Sequence, residues 1–263
     1  MTTMTLAVRD STTMLRRQLR HMARAWSLTL MLLAVPIILL LLFVYVLGGT
    51  LGDGLGGGSG GRGAYVNYVT PGILLITVTG AVQGTAISVA MDMTEGVIAR
   101  FRTMAIARVS VLTGHVLGSV LQILFQLTVV AGVAVLVGFR PDATAVEWLA
   151  AAGVLTATAF ALVWLAVAMG LVTKTVAAAS NLPMPLTLLP LFGSGFVPTD
   201  SLPAGLRWFA EYQPFTPIME TLRGLLLGTP IGDSAGIALG WCAGIALVGY
   251  VWAKRLYNRD RTR

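Results

Sequence analysis

AWSLTLMLLAVPIILLLLFVYVLGGTLG, residues 25–52, runs for 28 positions without a charged side chain. A helix rising 1.5 Å per residue needs about 20 residues to cross a hydrocarbon core about 30 Å thick, so this stretch is long enough to span a bilayer. Five more charge-free stretches follow, at 63–91, 109–139, 148–173, 175–199 and 234–253. A charge at the bilayer centre costs about 2.5–3.5 kcal/mol even on a lenient insertion scale, so the gaps between charges are the primary signal. They predict an all-α integral membrane protein with transmembrane helices at 27–47, 68–91, 112–138, 148–172, 176–198 and 234–253.

Composition agrees. The chain of 263 residues is 56% hydrophobic and 11% charged, with a mean hydropathy of +0.81. A soluble domain carries about a quarter of its residues charged. Six crossings leave no room for a large soluble domain, so residues 1–263 are expected to form a single transmembrane domain. Cys242 is the only cysteine, which excludes an internal disulfide, and with two histidines, His21 and His115, a four-ligand zinc site cannot be assembled. No metal site is expected.

The net charge of +7 has a topological reading rather than a nucleic-acid one. With the N-terminus inside, 14 of the 18 basic residues fall on the cytoplasmic side, and Arg62, Arg140, Arg207 and Arg223 face outward. That asymmetry predicts an N-in, C-in topology. Residues 1–26 lead into the first span: Leu15, Leu19, Met22 and Trp26 fall on one helical stripe and Arg16, Arg17, Arg20 and Arg24 on the opposite one, as in a helix lying in the interface plane. No short apolar run with a small-residue cleavage site precedes it, so no cleaved signal peptide is expected. The loop from Gly48 to Ala64 holds ten glycines in 17 residues and reads as a flexible connector.

Three segments carry more than topology. Residues 92–110, DMTEGVIARFRTMAIARVS, place Val97, Ile98, Phe101, Met104 and Ala105 at helical spacing with Arg100, Arg102 and Arg108 interleaved. The resulting amphipathic helix either lies on anionic lipid or seats on a partner. In the fifth span Pro183, Pro185 and Pro190 exclude a regular helix, and broken backbone at membrane depth survives only where protein or a cavity supplies the missing hydrogen bonds. The span is therefore expected to face other helices or a translocation path, with Gly193–Gly195 a flexible join at its end. Residues 199–233 read as a re-entrant external hairpin of two short helices. One runs from Leu202 to Tyr212, and the second has Thr216 as N-cap, Pro217 at its first position and Gly228 just past its end. Glu220 and Arg223, three apart on the second helix, are either part of an outer gate or a solubilising pair.

With these pieces in place the chain resembles a type-2 ABC exporter permease of the daunorubicin/doxorubicin-resistance kind. The resemblance rests on DMTEGVIARFRTMAIARVSVLTGHVLG at 92–118, GFRP at 138–141 and FGSGFVPTDSLPAGLRWFAEYQPFTPIMETLRGLLLG at 192–228, and covers nearly the whole chain in order. It implies that Glu95, Gly96, Val97, Arg100, Phe101, Arg102 and Arg108 belong to a coupling helix docking on a cytoplasmic ATPase. It also implies that Phe196, Pro198, Leu202, Pro203, Pro214, Glu220 and Arg223 belong to the external hairpin. The family usually has proline where this chain has Ala105. The implied assembly is a homo- or heterodimer of permease subunits in the bacterial plasma membrane, bound to two ATPase subunits that carry the ATP and magnesium. No GxxxxGK[ST] sequence occurs and the only lysines are Lys174 and Lys254, so this chain has no nucleotide-binding motif and no cofactor of its own is expected.

An apolar path with few polar contacts, such as Asn67, Gln83 and Asn181, suits an amphipathic drug, lipid or glycolipid as cargo. An ion-coupled secondary transporter is the alternative, and it needs ionisable groups inside the spans, of which the sequence offers His115. An intramembrane hydrolase built on Ser194 lacks a base within reach, because His115 is placed near the opposite face of the bilayer.

Overall fold

The computed structural model describes residues 26–50, 61–94, 108–196 and 203–258, and all regular structure among them is helical. In chain order the elements are α1 (Trp26–Leu41), a π-helical stretch (Leu42–Leu47), α2 (Gly61–Thr94), α3 (Arg108–Val137), α4 (Ala145–Val172), α5 (Val176–Asn181), α6 (Met184–Leu188), a 3₁₀ turn (Leu189–Phe192), α7 (Ala204–Tyr212), α8 (Phe215–Leu227) and α9 (Ser234–Asn258). Five helices among the described residues are long and apolar enough to cross a membrane: Leu30–Thr50, α2, α3, α4 and the Ser234–Tyr257 part of α9. In the remaining expected crossing, the fifth at 176–198, the described residues 176–196 form a chain of short pieces rather than one helix.

Hydropathy alone does not order the helices by burial. In lipid, apolar side chains gain little by leaving hydrocarbon, and helices associate where small residues let backbones approach. The most enclosed helices, α2 and α4, carry Gly72, Ala81, Gly84, Ala86 and Ala90 on one and Ala151, Ala159, Ala161, Ala166, Ala168 and Gly170 on the other. Threonines add polarity to α2 without penalty, because Thr70, Thr77 and Thr85 donate to the carbonyls of Val66, Ile73 and Ala81, one turn back. Leucine-rich α1 lies at the periphery with Met31 and Ile38 exposed, and α9, rich in glycine and alanine, packs on α4 along one side and leaves Leu247 and Val248 exposed. A Cβ on Gly170 would stand 2.7 Å from the Ala86 carbonyl oxygen, and one on Gly249 would stand 2.6 Å from the Leu165 backbone nitrogen. These two glycines set how closely α4 packs on α2 and on α9.

Helix ends follow local sequence. Thr144 and Glu147 form a reciprocal capping box that starts α4, and Thr175 caps α5 by accepting from the Ala178 N–H. Gly228, at φ +70°, ends α8 in the left-handed conformation that glycine favours, at the position expected. Several boundaries move. Among the described residues the second helix runs from Gly61 to Thr94 and the third from Arg108 to Val137, so positions 92–94 and 108–110, read from sequence as part of a loop, are helical. The second hairpin helix starts at Phe215 with Pro214 in the cap position, not with Thr216. The Thr216 hydroxyl instead donates to the Ala210 carbonyl at 2.5 Å, closing the hairpin between α7 and α8.

Gly249→Leu is expected to destabilise the protein by about 1–3 kcal/mol, because the added side chain meets backbone on α4 that cannot retreat. Gly240→Leu, on the same helix with nothing within 4 Å, is expected to be neutral. Thermal unfolding of the two purified variants in detergent checks the contrast.

Candidate functional site

The proline-broken segment is the feature around which polar groups gather. Pro183 and Pro185 have no N–H to offer the carbonyls of Ala179 and Asn181, and the helix breaks between α5 and α6. The freed backbone is met by α2: the Gln83 side-chain amide donates to the Ser180 carbonyl at 2.7 Å, across 97 positions of sequence. The expectation that this segment faces other helices is met in that contact.

Further along, Gly193, Ser194, Gly195 and Phe196 are all buried, wedged between α2 and α8. The expected flexible join is therefore a tightly packed wedge. A Cβ on Gly195 would stand 2.6 Å from the Met219 sulfur, and one on Gly72 would stand 3.1 Å from the Gly195 carbonyl oxygen and from the Phe196 ring. Phe196 also packs on Phe43, with ring centroids 4.9 Å apart.

The wedge is held by one carbonyl. Ser194 C=O accepts from the Tyr68 hydroxyl at 2.8 Å and from Arg223 Nη2 at 2.7 Å. The Arg223 guanidinium lies over the Tyr68 ring, 4.2 Å from its centroid, a cation–π contact that strengthens when water is excluded. Burial lowers the Arg223 pKa, while Tyr68 and Glu220 oppose that shift. An arginine remains protonated under these conditions. Glu220 and Arg223 do not bond each other directly; Glu220 accepts from the Ser234 hydroxyl at 2.8 Å, tying α8 to the start of α9. Between those two residues the chain folds back over Gly224, where a Cβ would collide with Ile231. The buried Ser194 Oγ and Gln213 amide have no partner in the wedge.

A second polar contact lies at the opposite end of the bundle. His115 Nε2 on α3 meets Asp92 Oδ2 on α2 at 3.0 Å, with both side chains largely buried. Asp92 is 24 positions from Tyr68, about 36 Å along one helix. The two clusters are thus a membrane thickness apart, and His115 does not reach the Ser194 hydroxyl.

Of the residues singled out from sequence, Phe196 lies in the wedge and Arg223 holds it, Glu220 turns to the start of α9, and Pro203 and Pro214 precede α7 and α8. Asn67 and Gln83 are not brought together. Asn67 accepts from the Arg140 backbone N–H at 3.0 Å and so fixes the α3–α4 connection, Gln83 holds Ser180, and Asn181 is exposed. Arg108 opens α3. Glu95, Gly96, Val97, Arg100, Phe101, Arg102 and Pro198, the interfacial helix before Trp26 and the glycine-rich positions 51–60 lie outside the described residues. Tyr68 and Asp92 were missed in sequence. An aromatic hydroxyl inside a charge-free stretch, and an acid three residues before Glu95, looked like span filler and loop.

Among the described residues no three potential metal ligands come together. A bundle of spanning-length apolar helices, with polar groups spent on holding backbone and on tying helices together, is the architecture of a multi-pass membrane protein. Residues 10–227 match the ABC-2 type transporter family, and the chain belongs to it. It is 28% identical over 225 residues to the daunorubicin resistance ABC transporter permease protein DrrB1 of Streptomyces coeruleorubidus, covering 85% of this chain and 77% of that one. It is 25% identical over 252 residues to the probable doxorubicin resistance ABC transporter permease protein DrrC of Mycobacterium tuberculosis, covering 93% and 88%.

Tyr68→Phe is expected to cost about 1 kcal/mol and Arg223→Leu more, about 2–3 kcal/mol, since the latter removes a charged donor and the ring contact together. Because both donate to one oxygen, the double variant should cost less than the sum. Thermal unfolding of the four proteins in a mutant cycle measures the coupling.

Proposed function

We propose that this chain is the membrane-spanning subunit of an ATP-binding-cassette exporter that carries an amphipathic drug, lipid or glycolipid outward across the bacterial plasma membrane. The observation that carries this reading is the ABC-2 family match over most of the chain, joined to relatives named as drug-resistance permeases over 77% and 88% of their lengths. The sequence holds no phosphate-cradling loop, so ATP and magnesium belong to a separate cytoplasmic ATPase, bound in two copies to a pair of permease subunits.

In this reading all six segments, including the broken fifth, make up the transmembrane unit, with both termini inside. The 92–110 segment meets the ATPase, with Glu95, Gly96, Val97, Arg100, Phe101, Arg102 and Arg108 as its contacts. Closure of the ATPases pushes on that segment and thereby on the cytoplasmic ends of α2 and α3. The hairpin α7–α8, with Trp208 and Tyr212 exposed on α7 as interfacial anchors, lies at the outer face. There Arg223 and Glu220 form an outer gate by holding the 193–196 wedge and the start of α9. Release of the Ser194 carbonyl by Arg223 is the step that opens it.

The buried Asp92–His115 contact favours one competing reading, since ionisable pairs inside spans are what an ion-coupled transporter uses. Reconstitution distinguishes the two. Cargo moved by the chain alone on an ion gradient would establish the secondary transporter.

Gentle purification of the tagged chain is expected to bring down a stoichiometric ATPase. Glu95→Arg and Phe101→Asp should lose that ATPase or its stimulation by cargo, with membrane insertion intact. Full transport in both variants removes the coupling assignment.

A further inference from the structure

The described part of the bundle contains a cavity of about 310 Å³ that none of these roles uses. Its floor is Leu74 on α2, Leu127 on α3, Ala151 on α4 and Leu226 on α8, all buried. Its mouth lies between α3 and α4, where Thr128 and Ala152 are exposed. Trp148 forms one wall, in the first turn of α4, which places the cavity in the half of the bundle that holds the hairpin.

The lining decides what can enter. Thr128 already donates to the Leu124 carbonyl at 2.8 Å, which leaves the Trp148 indole N–H as the one further side-chain donor in the lining, fewer than the two to four partners a bound water requires. Left empty, the lining forfeits its dispersion contacts on one side. The volume is at the lower end of the range of ligand pockets, about 300–1,000 Å³. Outside the mouth the surface is apolar: Phe125, one turn before Thr128, and Leu149, one turn before Ala152, are both well exposed. In a membrane-embedded chain that surface meets hydrocarbon, and an acyl chain is the flexible, apolar occupant present there at very high local concentration.

We propose that this cavity seats one acyl chain of a bilayer phospholipid, which enters sideways between α3 and α4 and packs against Leu226 of the hairpin helix. The seat depends on the chain being in a membrane and not on the identity of the cargo or of the energy source. The lipid tail packs on α8 at Leu226, two turns beyond Met219 on the same helical face.

The test uses the full chain alone, reconstituted in phosphatidylcholine vesicles doped with a phosphatidylcholine carrying a photoreactive diazirine in its acyl chain. After irradiation, adducts mapped by peptide mass spectrometry are expected to concentrate on 124–131 and 148–155, above the level on the lipid-exposed residues of α9. Ala131→Phe, which fills the cavity, should bring those adducts down to the α9 level without changing the α9 signal. Thr128→Trp at the mouth should do the same, and serves if the first variant fails to fold. Adducts spread evenly over all exposed helices, or unchanged in a folded cavity-filled variant, overturn the proposal. So does their displacement by added daunorubicin, which would make the cavity a cargo site. Transport is not read in any arm, so loss of the exporter reading leaves this result standing.

Discussion

Hydrocarbon offers no hydrogen bonds, and the rest of this structure follows from how one stretch of broken backbone is satisfied without water. Residues 176–196 contain three prolines and two glycines that exclude a continuous helix. Their carbonyls reach side chains on neighbouring helices: Gln83 takes Ser180, while Tyr68 and Arg223 share Ser194. Those three side chains are the reason α2 and α8 stand where they do. The glycines at 72, 193 and 195 are equally bound to that geometry, since each lies where a Cβ would strike a neighbour. A segment that reads as a weak span is thereby anchored at Ser180 and Ser194, while most of 176–192 stays exposed.

In the same solvent hydrophobicity alone does not decide which helix is buried. The helix at the centre is the threonine-, glycine- and alanine-rich α2, and leucine-rich α1 is displaced to the rim. Close approach by small side chains gives dispersion contacts that lipid cannot match, whereas leucine against lipid is already in a good solvent.

This explains which features were legible in the sequence. Charge-free length gave the all-helical membrane class, and turn chemistry gave the end of α8 at Gly228. The prolines foretold that 176–198 would not be a regular helix and would need protein around it. What could not be read was partnership. The helical spacing of Glu220 and Arg223 suggested that they pair with each other, yet the guanidinium is drawn across to a carbonyl 29 positions away and the carboxylate to a hydroxyl 14 positions away. Asn67 and Gln83 looked like polar spots along a path because sequence does not reveal that a turn and a broken helix will present backbone to them. Asp92 looked like part of a loop because nothing local marks where α2 stops. Its neighbour His115, which sequence left without a partner, completes the contact from the next helix.

The tight reversal after α8 has a mechanical meaning. With Ile231 folded onto Gly224 and the Ser234 hydroxyl hooked to the Glu220 carboxylate, the return arm of the hairpin and the last long helix have no slack between them. They behave as one bent lever whose fulcrum is a six-residue elbow, 228–233. A tilt imposed on either arm must reappear in the other, so the terminal helix cannot sit idle at the rim while the hairpin rearranges.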